Sequence, residues 1–152
     1  MIAMHLKYIR RTALVVLLFF YCGNEFQIKA INPQSNTTSS KQATKNAGKA
    51  LYTKHCMSCH QADGSGVPQM YPPLKKSNWV NGDKGKLIKV VLFGLEGEID
   101  VNGESYYETM PKQDKLTDQQ IADILSYIRK NFENHSDSIR SKDVQLLRTK
   151  KK

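Results

Sequence analysis

The chain has 152 residues, which suits one domain with tails. Its 23 Lys and Arg exceed 14 Asp and Glu, giving a formal net charge of +9. A basic surface suits acidic protein partners, anionic lipid or plain solubility, and no basic–aromatic interleaving points to nucleic acid.

His5, Lys7, Arg10 and Arg11 precede the apolar run Ala13-Leu14-Val15-Val16-Leu17-Leu18-Phe19-Phe20. This is a charged n-region followed by an h-region, so residues 1–30 read as an export signal. The run is short for a span of about twenty apolar residues. Removal is the favoured fate, with a cut after Ala30 and Ile28 at the minus-three position. Cys22, at the end of the h-region, offers a second fate, lipid attachment, although Tyr21 before it is bulky where a small residue is wanted. A retained or lipidated N-terminus would associate the protein with a membrane. Residues 31–46 are rich in Ser, Thr, Asn, Gln and Lys and nearly lack large apolar side chains. They read as a flexible linker.

The folded part is expected over residues 47–134. Ala47 and Leu51 share a helical face up to Cys56, and Gly48 marks a close approach of another element. The helix runs into Cys56-Met57-Ser58-Cys59-His60, a C-x-x-C-H pentapeptide and the attachment signal for a c-type haem. Two thiols three positions apart can reach the two vinyl groups of one porphyrin. The adjacent His60 then reaches the iron from one side. A thioredoxin-like pair would want a βαβ pattern, and a zinc site a second Cys/His pair at ligand spacing. Neither is present in the sequence. With Cys56 and Cys59 used for haem, no internal disulfide is expected.

The stretch from Gln61 to Pro68 is a loop by composition, followed by Met70-Tyr71-Pro72-Pro73-Leu74. A ligating histidine usually donates its far N–H to an acceptor, and a carbonyl of this proline segment, Pro72 first, is the candidate. Trp79 is a candidate haem contact with its indole N–H on a propionate, or else a structural residue. Residues 83–93 read as a helix with Asp83 as cap, Leu87, Val90 and Val91 on its buried face and Gly94 as stop. Between Gly97 and Tyr107 the period changes to two around Asn102-Gly103, which predicts a hairpin. That segment is acidic, through Glu96, Glu98, Asp100, Glu104 and Glu108. Thr109-Met110-Pro111 and Leu116 follow. A helix from Thr117 to about Phe132 comes next, with a Thr117/Gln120 capping box and Ile121, Ile124, Leu125 and Ile128 at helical spacing. Residues 135–152 read as a basic extension, in which Val144, Leu146 and Leu147 have the spacing for one more helical turn against the domain.

The order of these parts resembles the class I cytochrome c family over about Ala47 to Phe132. A helix enters C-x-x-C-H, then come a proline–leucine loop, a middle helix, Met-Pro and a last amphipathic helix. The resemblance implies an all-α fold of three main helices around one covalently attached haem c, with a short β-hairpin before the axial Met. It implies that the first and last helices cross, with Gly48 and Tyr52 packed on Leu125 and Tyr127. It assigns Met110 as the second axial ligand opposite His60. Met57, Met70 and His135 are the rivals. Two protein ligands leave iron no open position, which favours a one-electron carrier over catalysis. The resemblance also implies an exported location, in the periplasm or on the periplasmic side of a membrane. Partners are expected to be redox proteins with acidic docking patches, met by Lys75, Lys76, Lys84, Lys86 and Lys89. The alternatives are an accessory haem subunit of a dehydrogenase or reductase, and a haem peroxidase or sensor with a labile sixth ligand.

Overall fold

The computed structural model describes residues 36–150. The export signal, its cut after Ala30 and the Cys22 lipidation site lie outside the described residues. Helix α1 spans Asn36–His55 and runs into a single turn, α2, at Met57–His60. Another single turn, α3, lies at Asn78–Asn81, followed by α4 at Lys84–Phe93. Strands β1 (Ile99–Val101) and β2 (Glu104–Tyr106) precede α5 (Asp118–Lys130) and α6 (Ser141–Thr149). Among the described residues no helix is long and apolar enough to cross a membrane.

Local chemistry accounts for most boundaries. The Asp83 side chain accepts from the Lys86 N–H at 2.6 Å, and Gly94, at φ 79°, ends α4. The hairpin pairs Ile99 with Tyr106 and Val101 with Glu104. Asn102 and Gly103 turn it with φ 56° and 86°, the two positive angles that a turn matching the strand twist needs. Thr117 and Gln120 close a reciprocal capping box on α5.

Two expected boundaries move. The stretch expected as a linker, 31–46, is helical from Asn36 onward, so α1 starts well before Ala47. Its polar composition hides this. Between Pro33 and Gly48 there is no Gly or Pro, and Lys, Gln and Ala are good helix formers even without an apolar face. The stretch expected as a basic extension, 135–152, instead supplies a further long helix, α6. Val144 and Ile139 are buried in the main core with Ile88, Leu92, Ile121 and Leu125. Full burial of such a side chain contributes about 1.5–3 kcal/mol, so this segment belongs to the domain and is not an appendage. Leu146, by contrast, is 58% exposed and takes no part.

Helix α1 crosses α5 at Gly48 and Tyr52. The Tyr52 ring is fully buried, 5.6 Å from Tyr127 and 5.0 Å from Phe132 between centroids. Two buried polar residues tie the C-terminal segment to the loops. Asn134 donates to the carbonyls of Leu74 and Ile128 and accepts from Asn81. The Arg129 guanidinium donates to the carbonyls of Val80, Gly82 and Asp137.

Candidate haem site

The attachment segment is held by the end of α1. Cys56 N–H donates to Tyr52 O at 2.9 Å, and the Cys59 and His60 N–H groups turn back to Cys56 O at 3.2 and 3.0 Å. The tight turn brings Cys56, Cys59 and His60 onto one cleft. The Tyr52 hydroxyl donates to Gln61 O at 2.6 Å and fixes where the chain leaves the motif. Both thiols are unbridged and half-buried. Burial, with Cys59 adding, pushes the Cys56 thiol up to about 11. A redox or zinc-binding dithiol needs the opposite shift, because the thiolate is the reactive form. The surroundings therefore keep the Cys56 thiol neutral.

His60 Nδ1 lies 2.9 Å from Pro72 O. A carbonyl can only accept, so Nδ1 carries the proton and Nε2 keeps its lone pair for a metal. Burial lowers the His60 pKa and favours the neutral ring, with the Pro72 bond opposing. Pro72 is held in turn. Val67 and Tyr71 exchange two 2.8 Å backbone bonds, and a Cβ on Gly66, at φ 68°, would stand 2.8 Å from Pro72 O.

Met110 approaches the same cleft from another element. Its backbone exchanges bonds of 2.9 and 3.0 Å with Leu95. That pairing requires Gly94, whose Cβ would fall 2.7 Å from Met110 O. Of the rivals, Met57 packs on the core, Met70 is 45% exposed and His135 is exposed; none of them lines the cleft. His55 does line it, and sequence reasoning missed that. Its position next to Cys56 is the only signal the sequence carries.

Trp79 also lines the cleft, but its N–H is committed elsewhere. Nε1 donates to Asp100 O in β1 at 2.7 Å, the structural role that stood beside the expected propionate bond. The hairpin is drawn in further by Asn78, whose N–H donates to the Asn102 side chain at 2.9 Å. Lys86 Nζ sits 3.6 Å from the Trp79 ring centroid. Lys75 and Lys76 each pair with Glu133 at 2.7 Å, and Lys84 lies 3.8 Å from Asp137, so these lysines are partly neutralised.

The cleft is partly open to solvent. Its remaining walls are largely apolar, among them Val80, Leu87, Val91, Leu125 and Ile128. Two thiols, an imidazole with a free lone pair, a thioether and apolar walls fit a covalently held haem. The cytochrome c family profile matches residues 46–131. The chain belongs to the cytochrome c family. Covalently attached haem c is the cofactor of that family, and Cys56, Cys59 and His60 form its attachment motif here.

Among similar proteins, the cytochrome c subunit of alcohol dehydrogenase (quinone) from Gluconobacter oxydans is 34% identical over 76% of this chain and 25% of its own. Cytochrome c-552 of Thermus thermophilus is 36% identical over 53% of this chain and 64% of its own. The fructose dehydrogenase cytochrome subunit of Gluconobacter japonicus is 30% identical over 86% of this chain and 28% of its own. The chain thus spans about a quarter of the dehydrogenase subunits it matches and just under two-thirds of cytochrome c-552.

Proposed function

We propose that this cytochrome c domain is a one-electron carrier with His60 and Met110 as axial ligands. The supporting observation is that both residues line the cleft that also receives Cys56 and Cys59. Haem held by these residues would supply the Fe(II)/Fe(III) couple, and a thioether ligand would raise its potential. The chain's own part is to hold. Pro72 keeps the His60 ring oriented, the Leu95 bridge carries Met110, and the apolar walls exclude water. Filling both axial positions with protein leaves no site for substrate, which favours electron transfer over peroxidase or sensor chemistry.

Charged n-region and h-region residues support an exported, periplasmic location with the leader removed; a leader retained, or lipidated at Cys22, would instead hold the protein to a membrane. A second reading is a haem module of a dehydrogenase complex. It is favoured by the Gluconobacter relatives, which are cytochrome subunits of alcohol and fructose dehydrogenases. In either case the partner is a redox protein, and docking to an acidic patch would make transfer slow as salt rises.

The test is spectroscopy with intact mass on the exported protein. One haem per chain and a long-wavelength sulfur-to-iron band in the oxidised state are expected. Met110→Ala should lose that band and let the reduced protein bind carbon monoxide. A colourless product from cells with active haem ligation would overturn the reading, and a band retained in Met110→Ala would remove Met110.

A further inference from the structure

Helix α6 begins ten residues beyond the last residue of the family match. It packs against both α4 and α5. Those two helices are the ends between which the segment 94–117, with Met110, is strung. Val144 anchors α6 in the core. Leu147 packs against the core and comes within 3.8 Å of the Cβ position of Gly85 at the start of α4.

The key side chain is Arg148. Its Nε donates to Asp118 Oδ1 at 2.7 Å, Nη1 to Asp114 O at 3.1 Å and Nη2 to Leu116 O at 2.7 Å. One planar guanidinium thus ties the first turn of α5 to two carbonyls of the irregular stretch that leads back to Met110. Upstream, Met110 is pinned by Leu95, and Gln113 N–H donates to Val91 O at 2.8 Å. Between Asp114 and Leu116 the backbone bond from Leu116 N–H to Gln113 O is a turn within the stretch itself. Arg148 joins this stretch to a separate helix.

We propose that Arg148 is a positioning residue for Met110, and that α6 is a brace that keeps the thioether in place. The proposal rests on Met110 being the axial ligand. A thioether is neutral and a weak ligand, so its residence depends on how firmly its own backbone is held. Arg suits this task better than Lys, because its rigid fork of donors can serve a carboxylate and two carbonyls at once.

The experiment uses the full-length holoprotein with Arg148→Gln, Arg148→Lys and, on the same helix, the exposed Leu146→Ser as control. Two curves are recorded on heating the oxidised protein: the sulfur-to-iron band, and the far-ultraviolet helix signal. Carbon monoxide combination is timed on the reduced protein. In Arg148→Gln the band should disappear at a temperature well below loss of helix, and carbon monoxide should combine about tenfold faster, the scale of losing one charge-assisted bond. Arg148→Lys should fall between, and Leu146→Ser should match the parent. Band and helix lost together, or an unchanged carbon monoxide rate, would overturn the proposal. If the parent lacks the band, or Met110→Ala keeps it, the ligand assignment itself has failed and the brace falls with it.

Discussion

Gly48 and Tyr127 stand so close that a Cβ on the glycine would fall 2.8 Å from the tyrosine Cβ, with the Asp123 carbonyl nearer still. Two effects compete in Gly48→Ala. Helix propensity favours alanine by about 1 kcal/mol. Overpacking at a helix crossing costs typically about 1–3 kcal/mol and more where backbone blocks relief. Backbone lies in the way here, so a net loss is expected. Chemical denaturation of the holoprotein should show a lower midpoint with an unchanged slope; a higher midpoint would mean that α1 and α5 can part cheaply.

Glu133 titrates at about 2 instead of 4.5, chiefly through the hydrogen bond from Lys75 and next that from Lys76. A depressed folded-state pKa means stability that is present above the unfolded value and lost as acid approaches the folded one. Both lysines are exposed, so the effect is modest and screened by salt. Melting curves of the parent and Glu133→Gln should differ above pH 4.5 and converge toward pH 2. A gap that survives unchanged at pH 2 would point to packing instead.

Arg129 is 3% exposed and donates to three carbonyls. Its replacement by leucine keeps bulk but orphans those acceptors, at about 1–3 kcal/mol for each that water cannot reach. Arg129→Leu should therefore lower stability more than Gly48→Ala, Glu133→Gln or Trp79→Phe. Arg129→Lys, with fewer donors, should recover part of the loss; equal stability of the two Arg129 variants would show that the carbonyls find water.

Trp79 tethers the hairpin through Asp100 O and carries Lys86 on its face. Trp79→Phe removes the bond, worth about 0.5–1.5 kcal/mol, and weakens the cation–π contact, worth about 0.5–1 kcal/mol. Amides of residues 99–106 should exchange faster while those of α5 keep their protection. Unchanged hairpin exchange would assign the tether to Asn78 and Asn102 alone.

How much of the molecule is legible in its sequence follows from how locally each feature is determined. The attachment pentapeptide, the Thr117 capping box and the Asn102-Gly103 turn are contiguous, and each dictates its own geometry. Pro72 is reachable because a ligating imidazole requires an acceptor and the proline segment has carbonyls to spare. Arg129, Asn134 and Arg148 look like ordinary surface residues in the sequence. Each of them bonds to a backbone carbonyl supplied by an element tens of positions away, a pairing that has no residue-type signature. The early start of α1 is hidden for another reason. A helix without an apolar stripe gives periodicity nothing to detect.

Ile139 and Val144 are interior side chains that lie past the last residue matched by the family profile. A chimera that borrowed only residues 46–131 would carry the colour-bearing motif but leave the buried faces of α4 and α5 without part of their cover. Anyone transplanting this module onto an electrode or another polypeptide should cut after residue 149 and treat the tail as part of the machine.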